Sequence, residues 1–254
     1  MSDIVTVGPV DIEAELDRLA ARYRRAGSTG IQVLNLLGAQ AEGLIEQLPA
    51  PVRARLGEGT ERALRIALDA AQGSRGVVPD QKGWLNTAVA TAMGAAGGFG
   101  GLPTALVELP VTTTVLLRAI QGAAAEQGFD PATESVRFDC IRVFSAAGPL
   151  SHDDGADLGF LSVRLTLTGA SMHRMIAMVA PRLATVLGQK LAAQTVPVLG
   201  AVAGAATNYA YTSYYQEMAQ VHFGLRRLAI DGDVPHEDLV SDLARRLGKR
   251  RLNG

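Results

Sequence analysis

The chain has 254 residues, 48% of them hydrophobic, so it can bury a sizeable core, which excludes a wholly disordered sequence. Lys+Arg number 24 against Asp+Glu 25, a net charge of -1 that provides no global attraction to nucleic acid. A single cysteine, Cys140, excludes an intrachain disulfide framework and a cysteine-rich zinc site. Only 5% of residues are aromatic while 28 are glycine. That balance suits helices packed closely through Ala, Leu, Val and Gly better than sheets, which lean on aromatic and β-branched runs.

Residues 10–25 read as an amphipathic helix, with Ile12, Leu16, Leu19 and Tyr23 at helical spacing and Glu13, Asp17 and Arg24 on the other faces. Gly27 and Gly30 are expected to break it, and a second helix is expected over 29–47. Pro51 suits the first turn of a short helix carrying Val52 and Leu56. A fourth helix is predicted over 60–72, with Thr60 as its cap and Leu64, Ala67, Leu68 and Ala71 on its buried side. The first residues show neither a basic n-region nor an apolar h-region, so no signal peptide is read and a cytoplasmic location is expected.

The character then changes, for no charged residue lies between Lys82 and Glu108. The spacing predicts an apolar helix to about residue 96, a glycine turn, and a second helix over 103–127 that Pro110 should kink or start. A shorter helix over 132–147 points Val136, Cys140, Ile141 and Phe144 inward, and residues 148–159 form a polar loop. The run from Phe160 to Gly169 is read as helix, although its period also fits a strand. A further helix restarts near Ser171 and runs toward Ala193. A second uncharged segment separates Lys190 from Glu217 and leads into a long helix through Tyr215, Phe223 and Leu228. At the end, Asp233 is the expected N-cap, Leu239, Leu243 and Leu247 form a stripe, and Gly248 is the stop.

Two blocks of this pattern are similar to one family. Gly98-Phe99-Gly100-Gly101-Leu102-Pro103, with Glu108-Leu109-Pro110-Val111-Thr112-Thr113 and Arg118, resembles the first block of the EcsC family. Thr195-Val196-Pro197-Val198-Leu199-Gly200-Ala201-Val202-Ala203-Gly204, with Asn208, Ala219, Phe223 and Arg226-Arg227-Leu228, resembles its second, and Arg164 between them fits as well. The resemblance spans roughly 60–228. The family takes its name from a bacterial protein encoded beside the subunits of an ABC transporter. The resemblance therefore implies a bacterial protein working near membranes or transport, and it carries over no catalytic residues.

The two uncharged segments are long enough to cross a bilayer and carry the small-residue pairs Gly94/Gly98, Gly97/Gly101 and Gly200/Gly204. They are rich in Ala, Gly and Thr, however, and Pro103, Pro197, Asn86 and Asn208 interrupt them, which favours two helical hairpins buried in a protein core. Glu108 sits among Leu106, Val107, Leu109 and Pro110, where an unpaired carboxylate is costly. An ion pair with Arg118 or Arg164 is the simpler account, and a general acid or base with a raised pKa is the alternative. The four histidines show no metal spacing, no nucleophile elbow is present, and the glycines match neither a phosphate loop nor a dinucleotide fingerprint. No metal and no cofactor are therefore expected.

Tyr209, Tyr211, Tyr214 and Tyr215 cluster on one helix, which suits a membrane interface, a protein groove or a core edge. Arg245, Arg246, Lys249, Arg250 and Arg251 form a basic tail fit for anionic lipid or for a solvated helix end. The expected fold is all-α and a single domain: amphipathic helices over 1–80, a helical core of two apolar glycine-rich hairpins over 81–230, and a C-terminal helix with its tail over 231–254. Glu108, Arg118, Arg164, Asn208, Tyr211 and Tyr215 are the candidate binding residues. The expected function is a non-enzymatic accessory or interaction protein, cytoplasmic and peripheral at the inner membrane face, linked to ABC-type transport or envelope processes. Its expected partner is the membrane surface or a membrane protein such as an ABC transporter, not nucleic acid. Two alternatives stand beside it, a hydrolase-type enzyme using Glu108 and a helical protein binding a lipid or another apolar ligand.

Overall fold

A computed structural model describes residues 10–37, 45–75, 101–146, 158–162, 171–194 and 200–248, and among them every regular element is a helix. In chain order these are α1 (Ile12–Leu37), a 3-10 turn (Ile45–Gln47), α2 (Ala50–Arg75), α3 (Gly101–Glu126), α4 (Glu134–Val143), the single turn α5 (Gly159–Ser162), α6 (Ser171–Gln194), α7 (Gly200–Asp231) and α8 (His236–Arg246). The fold is all-α. The apolar helix and glycine turn predicted before residue 101, the polar loop over 148–157 and most of the run after Phe160 lie outside the described residues.

The axis of the fold is α7, 32 residues and therefore about 48 Å long at 1.5 Å per residue. It touches α1, α3, α4, α6 and α8. Residues 218–225 are all buried, so α7 is enclosed on every side there, and Tyr211, Tyr214 and Tyr215 are buried in the turns before. Three of the four clustered tyrosines thus belong to the core, and Tyr209 alone is exposed, at 48%. Among the described residues no helix is long and apolar enough to cross a membrane.

The amphipathic helices cover this axis. The face of α1 made by Leu16, Leu19, Ala20, Tyr23 and Ala26 is buried and α1 lies along α7, where Arg22 meets Glu217 at 3.0 Å. The approach is so close that a Cβ on Gly224 would stand 2.7 Å from Leu19 Cδ2, so any larger residue there makes the Leu19 side chain shift. On the other side, α2 packs against α3 and α6.

Several local expectations give way in the folded chain, and at Pro110 only the start is excluded, since the helix begins at Gly101. α1 runs unbroken through Gly27 and Gly30, for a helical glycine costs only about 1 kcal/mol and the Leu16–Ala26 face is anchored against α7. α2 is one helix from Ala50, with Pro51 in its first turn, and Thr60 is buried in its middle rather than capping a new helix. α3 passes through Pro110, and α6 likewise passes through Pro181. Each of those prolines has a threonine four residues on whose hydroxyl donates to its carbonyl, Thr114 at 2.7 Å and Thr185 at 3.3 Å, so the same back-bonding accompanies both. Asp233 does not cap α8 but sits in the turn before it with φ 49, and Pro235 holds the cap position. The stop at Gly248 is as expected, with φ 69.

Candidate functional site

The helices of the core bring polar side chains together in two places. The first is a cleft where α3, α6 and α7 meet. Thr112, Val115 and Leu116 line it from α3, Lys190 from α6, and Asn208, Tyr211 and Thr212 from α7. Helical spacing explains the set: Thr112, Val115 and Leu116 lie at i, i+3 and i+4, as do Asn208, Tyr211 and Thr212, so each trio occupies one face. Counted out to its open mouth, the cleft holds about 240 Å³ of empty space. Its polar residues are nevertheless almost wholly withdrawn from water, Lys190 being 3% exposed, Asn208 7% and Thr212 1%.

The phenol of Tyr211 forms the floor. Its hydroxyl donates to the Val186 carbonyl of α6 at 3.1 Å. Complete burial, with the neighbouring Tyr215 adding to it, pushes that phenol well above its ordinary pKa, so it remains a neutral donor. Neighbouring threonines of α3 are otherwise engaged: Thr113 and Thr114 each donate to a carbonyl four residues back, at 2.7 Å. Thr112 is the member of that run that faces the cleft.

The second place is a charged hub between α4, α7 and α8, centred on Asp139. Its Oδ1 accepts from the guanidinium of Arg142 at 2.7 Å and its Oδ2 from that of Arg226 at 2.6 Å. His222 Nε2 stands 3.4 Å from Oδ1, an electrostatic contact rather than a well-aligned hydrogen bond. Arg226 also lies over the Phe129 ring, 4.6 Å from its centroid. Burial by itself raises the Asp139 pKa, but the imidazole of His222 and the charges of Arg142 and Arg226 outweigh it and hold the carboxyl at about 2. His236, at the start of α8, is within hydrogen-bonding distance of the Leu161 carbonyl, 3.2 Å from Nε2, and burial and the nearby His222 push its pKa down.

An Asp–His contact invites comparison with a catalytic dyad, but the geometry argues otherwise. Both Asp139 oxygens are held by guanidinium groups, the carboxyl titrates too low to take a proton near neutral pH, and His222 is only 2% exposed. The hub ties α4 to α7 electrostatically. Among the described residues, no three His, Cys, Asp or Glu side chains gather as a metal cradle.

Of the candidate residues read from the sequence, Asn208 and Tyr211 line the cleft. Tyr215 is buried beside Tyr211 on α7, its ring edge-on to Phe144 at 5.2 Å. Arg118 is partly buried on α3. Glu108 belongs to α3 one turn before Thr112, but its side chain, and Arg164 altogether, lie outside the described residues. In the basic tail, Arg245 pairs with Asp242, and Arg246 pairs with Asp17 at 2.8 Å and with Glu13, which ties α8 to α1. Lys249, Arg250 and Arg251 lie outside the described residues. Sequence reasoning left out Lys190, Thr112 and Thr212, and it did not bring His222 and His236 together. The one legible hint was Lys190 as the last charge before the second uncharged segment, where a cation is drawn into the core with the helix that carries it.

No curated protein and no solved structure matches the chain. The EcsC protein family matches residues 74–228, a span that opens at the end of α2 rather than at Thr60 and closes at Leu228. Every residue lining the cleft falls inside that span, whereas α1 and α8 fall outside it. The chain belongs to the EcsC protein family.

Proposed function

We propose that this protein is a non-enzymatic accessory or interaction protein that works at the cytoplasmic face of the membrane, in support of transport or envelope processes. The observation that carries this reading is the character of the cleft. It gathers hydroxyl, amide and ammonium groups from three helices within the family-matched span, a polar set suited to holding a partner. Family membership supports the link to transport, since the family is named for a protein encoded beside ABC transporter subunits. Exposed Tyr209 and Val111, each 48% accessible, add apolar surface on the helices that form the cleft.

The test is where the expressed protein goes when lysed cells are separated into soluble and membrane fractions. The expected result is partial retention with membranes that a high-salt wash or mild detergent releases. Complete recovery in the untreated soluble fraction sinks the membrane-face role. A second experiment asks whether Glu108 acts as an acid or base: if Glu108→Gln lowers the melting temperature, it serves the fold. Unchanged melting with altered binding or turnover would turn the argument toward the hydrolase alternative.

A further inference from the structure

We propose that the outer face of α6 docks on an anionic phospholipid surface through Arg174, Arg182 and the exposed side chain of Met178. It rests on the membrane-face reading above and assigns the contact to one helix.

Charge sets this helix apart. Between Asp157 and Glu217 there is no acidic residue, although Arg164, Arg174, Arg182 and Lys190 all lie there, in a chain whose net charge is -1. Among the described helices of more than one turn, α6 is the one that contains neither Asp nor Glu. Lys190 is turned into the core, whereas Arg174 is exposed and Arg182 half-buried. The outer faces of α1 and α2 mix the signs instead, with Arg18 beside Glu15 and Arg65 paired with Glu61. Mixed faces serve solubility well, so solubility does not account for a face of one sign. Helix stability does not account for it either, because Arg174 stands in the first turn of α6, where the positive end of the helix dipole disfavours a cation. Among the described residues no acidic side chain pairs with Arg174.

Helical spacing gathers these groups on one side. His173, Arg174, Met178, Pro181 and Thr185 are exposed and fall on one arc of the helix, with Arg182 at its edge. The opposite face, carrying Met175, Ile176, Val179 and Leu183, is buried in the core. Met178, at 61%, is the most exposed of the large hydrophobic side chains among the described residues, and it lies one turn from both Arg174 and Arg182. An apolar side chain flanked by cations suits the interface of a bilayer, where it enters among the headgroups while the cations meet phosphates. The arc from His173 to Thr185 is about 18 Å long and about 10 Å wide. That is roughly 200 Å², well short of the roughly 800 Å² per partner that a stable protein interface buries. A lipid surface demands no such area or shape match, and each cation near it contributes separately.

The experiment is co-sedimentation of the full chain with phosphatidylcholine vesicles, with and without phosphatidylglycerol, at low and high salt. Binding is expected to require phosphatidylglycerol. It should fall between about 0.1 M and about 1 M salt, where the screening length shrinks from about 10 Å to about 3 Å. Arg174→Gln should weaken it about fivefold and Met178→Ser by about as much, with melting unchanged because both side chains are exposed. Equal binding to the two kinds of vesicle, or binding that neither substitution weakens, overturns the α6 surface. Binding that survives both substitutions but is lost when Lys249→Gln, Arg250→Gln and Arg251→Gln are combined overturns it too, and puts the contact in the basic tail. Retention on cell membranes without vesicle binding overturns lipid as the occupant, keeps the membrane-face role and points to a membrane protein. Absence of both vesicle binding and retention on cell membranes removes the α6 surface and the membrane-face role together.

Discussion

The charged hub around Asp139 and the cleft around Lys190 lie in the same helical core, and both place ionisable groups where water hardly reaches, yet they are built on opposite plans. At the hub, charges close on one another: two guanidinium groups take the two oxygens of one carboxylate, and a ring stacks beneath one of them. At the cleft, groups from three helices face a space open to solvent. A closed set of charges fixes the relative position of helices, whereas the cleft sets hydroxyl, amide and ammonium groups beside a narrow open space. The contrast is between charges that close on one another and polar groups that line a gap, and four experiments press on it.

The largest effect is expected at the hub. Asp139→Asn leaves Arg142 and Arg226 facing each other without their counter-charge, and should destabilise the protein by about 3 kcal/mol. Chemical denaturation measures this. Full stability in Asp139→Asn would mean that packing, not the ion pairs, holds α4 to α7.

Next is the acid limb of stability. Asp139 is depressed in the folded protein from 3.8 to about 2, so the unfolded chain binds the proton first as pH falls. Its contribution is complete above about pH 4 and is lost as pH falls toward 2, a change on the order of 2 kcal/mol. Melting temperature against pH should show that slope in the native chain and not in Asp139→Asn.

A smaller effect belongs to the floor of the cleft. Tyr211→Phe removes the hydroxyl that reaches Val186 and should cost about 1 kcal/mol, with α6 and α7 still packed together. An amide-exchange experiment that shows α6 released would mean that this bond, rather than the apolar surface, holds the pair.

The smallest concerns His236. Its pKa is lowered on folding, so it too binds its proton more readily in the unfolded chain. Its contribution is present above its ordinary pKa near 6.5 and is lost as pH falls below that value. His236→Gln can still meet the Leu161 carbonyl without titrating, and should flatten the stability profile just below pH 6.5. An unchanged profile would assign that slope to another group.

The sequence by itself determined the helical class, because 28 glycines, abundant alanine and few aromatics leave a core that only closely packed helices fill. It determined the inward faces of α1 and α4 through spacing such as Leu16, Leu19 and Tyr23, and it marked the family through the runs around Leu109-Pro110 and Pro197. It pointed to Asn208 and Tyr211 because a polar amide and a phenol inside an uncharged segment must find partners or a cavity. Tertiary structure alone decided whether a glycine or proline interrupts a helix and which charges meet. Gly27 and Gly30 cost about 1 kcal/mol each and Pro110 about 3 kcal/mol of local helix free energy, and burial of one helix face outweighs that, so both helices run on. Asp139 and Arg226 stand 87 positions apart, and Thr112 is likewise remote in sequence from both Lys190 and Asn208. Periodicity reports which face of a helix is buried, but not which helix lies opposite, and that pairing is what separates a closed hub from an open cleft.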